Sequence, residues 1–108
     1  MNDTINELYD VILSRKESPI ENSYTCYLFE KGIDKILKKV GEECSEVIIA
    51  AKNGKNDETV GEISDLFYHV LVLMAEQGIT TQEVFDVLDE RAKKVGNLKK
   101  FKNVDRET

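Results

Sequence analysis

Apolar residues recur along this chain at intervals of three and four, and β-branched residues nowhere alternate with polar ones in a period of two. That pattern predicts helices and no strands. A first helix is expected from about Asp3 to Lys16, with Ile5, Leu8, Tyr9, Ile12 and Leu13 on one stripe, broken by Ser18-Pro19. The stretch Ser23 to Phe29 should start helical and be interrupted near Gly32. A long helix follows from about Ile33 to Lys52, with Ile33, Ile36, Leu37, Val40, Cys44, Val47, Ile48 and Ala51 on its buried face. The polar turn Asn53-Gly54-Lys55-Asn56 stops it, and Asn56 or Asp57 can cap the next helix. That helix runs from about Glu58 to Gln77 and carries Val60, Ile63, Leu66, Phe67, Val70, Leu71 and Met74. Gly78 ends it, and Thr80 with Glu83 makes a capping box for a last helix to about Val95. Short turns between helices imply an all-α antiparallel bundle of four to five helices. It is expected to form a single domain over residues 1–108, with a loosely held tail from about residue 97.

Charge narrows the function. A third of the residues are charged (33%) and the net charge is −6, which disfavours the clustered Lys/Arg surface that nucleic acid requires. A small phosphorylated ligand is still compatible, because a metal ion and a few local lysines can offset the field. The two cysteines, Cys26 and Cys44, have no CxxC spacing and read as free thiols. No leader-like pattern opens the chain and no apolar run approaches the ~20 residues that span a bilayer. A soluble cytoplasmic protein without membrane or nucleic-acid partners is expected.

The two long helices carry Glu42-Glu43-x-x-Glu46 and Glu62-x-x-Asp65. Carboxylates three apart share a helix face, although acidic stripes usually do no more than solvate a surface. Helical phase separates the two cases. Glu43 lies ~80° and Glu46 ~140° from the centre of the first apolar stripe, on the same side. On the second helix Glu62 lies ~100° and Asp65 ~160° from the centre, in the same rotational sense. Antiparallel packing across the turn therefore brings the two flanks together. Glu46 and Glu62 are equidistant from Gly54, as are Glu43 and Asp65, so four carboxylates should converge at one level. Such a cluster repels itself unless a cation intervenes, and all-oxygen ligands favour Mg²⁺, with Mn²⁺ as a substitute.

Lys35 and Lys39 fall on the same flank, where they can pair with the acids or grip phosphate oxygens. Glu42 lies nearer solvent and is a less central ligand or a candidate general base. His69, one turn beyond Asp65, reads as a hydrogen-bonding residue of the bundle. Tyr68 lies almost opposite the apolar stripe and Ile49 points outward on the preceding helix, a placement that suits a subunit interface.

Ser23-Tyr24-Thr25, Leu28-Phe29-x-x-Gly32-x-x-Lys35-Ile36, Lys39-Val40-Gly41-Glu42-Glu43-x-x-Glu46 and Glu62-x-x-Asp65-Leu66-x-Tyr68-His69 together resemble the phosphoribosyl-ATP pyrophosphohydrolase family. This family performs the second step of histidine biosynthesis and belongs to the all-α nucleoside triphosphate pyrophosphatase group, which includes MazG-like enzymes. The ExxE and ExxD pair marks the whole group, and the surrounding SYT, KVGEE and DLFYH residues narrow the match. Cys44 and Phe67 depart from the aliphatic or small residues expected at their positions. The resemblance implies Mg²⁺-dependent hydrolysis of the α–β phosphoanhydride of phosphoribosyl-ATP to phosphoribosyl-AMP and pyrophosphate. It also implies a homodimer or higher homo-oligomer, a metal held by Glu43, Glu46, Glu62 and Asp65, and substrate contacts from Ser23, Tyr24, Thr25, Lys35 and Lys39. A separate cyclohydrolase would then act on the product. Two alternatives share parts of the pattern: a house-cleaning pyrophosphatase for noncanonical (d)NTPs, and a non-enzymatic helical module with an acidic face.

Overall fold

The computed structural model describes residues 3–95. Among them are five helices and no strand: α1 (Thr4–Glu17), α2 (Tyr24–Lys31), α3 (Ile33–Lys52), α4 (Asn56–Gln77) and α5 (Thr81–Val95). The expected tail from about residue 97 lies outside the described residues. Each break has a local cause. Ser23 caps α2 by accepting the Cys26 amide at 3.1 Å. Gly32 sits at φ +90°, ψ −170°, a conformation open essentially to glycine, and turns the chain directly from α2 into α3. Gly78, left-handed at φ +73°, closes α4. The capping box ahead of α5 is formed as expected, with Thr80 N–H on Glu83 Oε1 (2.9 Å) and Glu83 N–H on Thr80 Oγ1 (3.1 Å).

One cap differs. Neither Asn56 nor Asp57 caps α4; Lys55 holds that position without a side-chain bond. Its carbonyl accepts both the Thr59 amide (2.9 Å) and the Thr59 hydroxyl (3.0 Å), so the helix begins a residue or two earlier than the sequence suggests.

The α3–α4 hairpin makes the most extensive helix pair, and α1 and α2 pack across its lower half. Their shared core is Tyr9, Ile12, Leu28, Ile36, Leu71, Val72, Met74 and Ala75. Polar ties reinforce the join. Tyr9 Oη donates to the Ile79 carbonyl (2.5 Å), and Lys16 Nζ reaches from α1 to the Ala75 carbonyl (3.0 Å) at the end of α4.

The buried line of α3 follows its apolar stripe only in part: Ile36 is buried as expected and Ile33, Val40 and Val47 are half-buried. Ile36, Glu43 and Ala50, spaced by seven, are the buried residues, whereas Leu37 (47% exposed), Ile48 (68%), Cys44 and Ala51 face outward. On α4 the stripe is buried only toward its C-terminal end; Val60 (64%) and Phe67 (52%) are uncovered. The side of α3 that meets α4 is thus rotated from the stripe, and one copy of the chain leaves the stripe largely without apolar neighbours. The outward placement expected for Tyr68 is also corrected. Because α2 crosses that side of α4, Tyr68 is half-buried, hydrogen-bonded to Thr25 and stacked on Tyr24 with ring centres 6.2 Å apart. Ile49, by contrast, is exposed as expected.

Candidate active site

Glu43 projects from the middle of the buried line of α3 toward α4, where Glu62 and Asp65 stand one turn apart. Carboxylate oxygens of the three lie within 4.8 Å of one another. Glu46, exposed one turn beyond Glu43, is close enough to hydrogen-bond with both Glu43 and Glu62 whenever one partner carries a proton. The two acidic pairs therefore meet across the hairpin, as helical phase and the level around Gly54 require.

The electrostatics are those of a site short of positive charge. Glu43 is only 6% exposed, and its Oε2 has no hydrogen-bond partner. Burial first, then repulsion from Glu46 and Asp65, raises its pKa above the ordinary carboxylate range, with Lys39 opposing. The Glu62 pKa is raised as well, by desolvation, by hydrogen bonding to Glu46 and by repulsion from its acidic neighbours. A native fold seldom leaves a buried carboxylate oxygen unpaired beside like charges without a function. The all-oxygen donor set, partly buried and partly open, fits a hard divalent cation that keeps some of its water.

Lys39 is the one cation with a salt bridge into this cluster among the described residues, 3.2 Å from Glu42 and 3.9 Å from Glu43. Glu42 is exposed and turned toward that lysine, outside the group of three converging carboxylates. Lys35 lies with its ammonium over the Tyr27 ring, 5.8 Å from the ring centre.

The other residues singled out from sequence meet beside the acids. The Ser23 oxygen accepts the Cys26 amide at the α2 cap, which leaves its proton free, and the Thr25 hydroxyl bonds the Tyr68 hydroxyl. Tyr24 Oη lies 2.9 Å from His69 Nε2, and His69 Nδ1 lies 2.7 Å from the carbonyl oxygen of Asp65. His69 is therefore the buried hydrogen-bonding residue its position suggests. Tyr68 is the residue the sequence reading misplaced. Its pairing with Thr25 links two segments 43 residues apart, so periodicity along α4 could not reveal it. Tyr24, Tyr27 and Ser23 also line a cleft of about 920 Å³ between α2 and the end of α1, together with Arg15 and Asn22. Both cysteines are free thiols. No helix among the described residues is long and apolar enough to cross a membrane.

Comparison with known proteins assigns this arrangement to a family. The sequence profile of phosphoribosyl-ATP pyrophosphohydrolase matches residues 5–92. A phosphoribosyl-ATP pyrophosphatase from Clostridium novyi is 59% identical over 97 residues, covering 90% of this chain and 88% of that protein. The protein of the same name from Listeria welshimeri is 54% identical over 101 residues, covering 94% and 97%. A histidine biosynthesis bifunctional protein HisIE from Caldanaerobacter subterraneus is 58% identical over 90 residues, which cover 83% of this chain and 44% of the larger protein.

Proposed function

The chain belongs to the phosphoribosyl-ATP pyrophosphohydrolase family, and on that premise we propose that it hydrolyses the α–β phosphoanhydride of phosphoribosyl-ATP. The products are phosphoribosyl-AMP and pyrophosphate, in histidine biosynthesis. The observation that carries the catalytic half of this reading is the buried Glu43 carboxylate, its Oε2 unpartnered, facing Glu62 and Asp65 across the hairpin. Glu43, Glu62 and Asp65, with Glu46 beside them, would hold Mg²⁺, and Mn²⁺ would serve in its place. When bound, such an ion polarises a phosphoryl oxygen and offsets charge on the departing pyrophosphate.

The chain's own groups divide the remaining work. Glu43 is held in place by burial and gives the site its fixed point. Lys39, which now shares its charge between Glu42 and Glu43, is free to turn one N–H toward a phosphate oxygen as the substrate arrives. Glu46, exposed and only partly engaged, or Glu42 on its solvent side, can orient water and take its proton. Within the Ser23-Tyr24-Thr25 segment, Thr25 is bonded to Tyr68, the Ser23 oxygen accepts at the cap but keeps its proton to donate, and Tyr24, bonded to His69, keeps lone pairs that can accept from substrate.

The uncovered stripe of Leu37, Ile48, Val60 and Phe67 supports a homodimer, or a larger homo-oligomer, in which a second copy supplies the missing apolar neighbours. Free thiols at Cys26 and Cys44 suit a reducing cytoplasm.

The deciding experiment measures pyrophosphate release from phosphoribosyl-ATP and from a panel of dNTPs, with Mg²⁺ and with chelator. Mg²⁺-dependent turnover of phosphoribosyl-ATP well above that of any dNTP, abolished in Glu46→Gln, is the expected outcome. Faster hydrolysis of a dNTP would replace the substrate, and no hydrolysis of any nucleotide would leave a binding module.

A further inference from the structure

His69 is buried and held at both ring nitrogens. Its Nδ1 faces a backbone carbonyl, which can only accept, so Nδ1 must carry the proton and donate to Asp65. A neutral imidazole with a proton on Nδ1 has an acceptor at Nε2. The Tyr24 hydroxyl at 2.9 Å must then donate to His69. The ring cannot flip without loss, because flipping would set carbon atoms against both partners. Edge-on contacts with Tyr24 (ring centres 5.7 Å apart) and Tyr68 (4.9 Å) hold the imidazole in that orientation. Burial raises the Tyr24 pKa, with Lys39 opposing and Tyr68 and Glu43 adding to the rise, so the phenol keeps the proton it donates.

A phenol has one proton and two lone pairs. With the proton committed to His69, Tyr24 Oη can only accept from anything that enters the site. A phosphate oxygen is also an acceptor and gains nothing there; the donor for phosphate is Lys39, which interacts electrostatically with both Tyr24 and Glu43. What Tyr24 can take is an O–H or N–H. The nearest such donors on a nucleotide whose α–β linkage lies at the carboxylates are the hydroxyls of the ribose joined to the α phosphate.

We propose that Tyr24 is a specificity-determining residue that accepts a hydrogen bond from a hydroxyl of this ribose, and that His69 is a positioning residue that fixes its polarity. The proposal rests on the phosphoanhydride reading for where the ribose lies. Lys39 then recognises charge and Tyr24 recognises the sugar. A deoxyribonucleotide lacking that hydroxyl leaves the Tyr24 oxygen facing substrate without a donor.

The test is equilibrium binding, with Mg²⁺, of α,β-methylene-ATP and its 2′-deoxy and 3′-deoxy forms. The methylene bridge blocks cleavage, so the readout is independent of turnover. The native chain should bind one of the two deoxy forms about fivefold to tenfold more weakly than the ribonucleotide, the scale of one hydrogen bond. Tyr24→Phe should abolish that preference. His69→Asn keeps a donor for the Asp65 carbonyl but offers Tyr24 no acceptor, so the preference should also be lost. His69→Gln, whose longer amide can place an oxygen near the Nε2 position, should retain it. Thermal unfolding of each variant confirms that the fold persists; a purely structural His69 would change stability and leave the preference unaltered. Equal affinities in the native chain, no measurable binding, or a preference that survives Tyr24→Phe would each overturn the proposal. Failure of the parent reading shows separately, as absence of pyrophosphate release from phosphoribosyl-ATP by the native chain.

Discussion

Exchanging Glu43 for Gln should make the metal-free protein more stable while it loses activity. The substitution keeps the side chain's size and removes one charge. In the native chain the Glu43 carboxylate lies within 4.8 Å of Asp65. At that separation two unit charges repel by about 1 kcal/mol at the dielectric of water and about 3.5 kcal/mol at an effective value of 20. The Lys39 ammonium at 3.9 Å returns a similar amount, about 1 to 4 kcal/mol on the same scale. One lysine thus compensates one acidic neighbour, and that lysine sits closer to Glu42, at 3.2 Å. Repulsion from Glu46 and the desolvation of Glu43 are left over. Relief on the order of 1 kcal/mol follows, which for a domain of this size raises Tm by about 4–8 °C. The assay is thermal unfolding in chelator, repeated in Mg²⁺. Native protein should gain stability from the ion, by about 2.7 kcal/mol when the ion is at a hundred times its Kd, and Glu43→Gln should gain far less. A metal-free variant that melts at or below the native temperature would show that the Glu43 carboxylate is not under strain.

Two further outcomes follow from the same geometry. Glu43 and Glu62 both bind protons more tightly in the folded chain than in the unfolded one, whose carboxyls titrate near 4.5. Their contribution to stability therefore falls as pH rises from about 4.5 through the raised values, so Tm of the metal-free protein should increase on acidification from pH 7.5 to 5, and excess Mg²⁺ should flatten that slope; a steady fall on acidification would contradict it. Charging the uncovered stripe, as in Phe67→Glu or Ile48→Glu, should reduce the mass seen by analytical ultracentrifugation to that of a single chain with helical content kept, whereas a native chain that already sediments as a monomer would remove the dimer.

Much of this site is legible in the sequence because it rests on local regularities. Three-residue spacing puts Glu62 and Asp65 on one face, and a short turn at Gly54 fixes which levels of the two helices meet. Helix ends at Gly32 and Gly78 and the Thr80–Glu83 box follow from residue chemistry in the same way. The misreadings have a common origin in non-local packing. The α3 stripe is apolar and periodic, yet a single chain covers it only in part: Ile36 is buried as expected, Leu37 and Ile48 are exposed, and Glu43 and Ala50 are buried in their place. Periodicity shows that a face wants a partner and does not show whether the same chain provides one. Tyr68 was misplaced for the same reason: the crossing of α2 over α4, which brings Thr25 and Tyr24 to it, is set by packing between segments far apart in sequence.

Glu43, Glu62 and Asp65, with Glu46, are proposed to form a divalent-metal site. Crystals grown with Mn²⁺ and α,β-methylene-ATP test it most directly, through the anomalous scattering of manganese. A manganese peak is expected between α3 and α4, about 2 Å from oxygens of Glu43, Glu62 and Asp65. A map with no peak at these carboxylates, or with manganese bound only elsewhere on the chain, would contradict it.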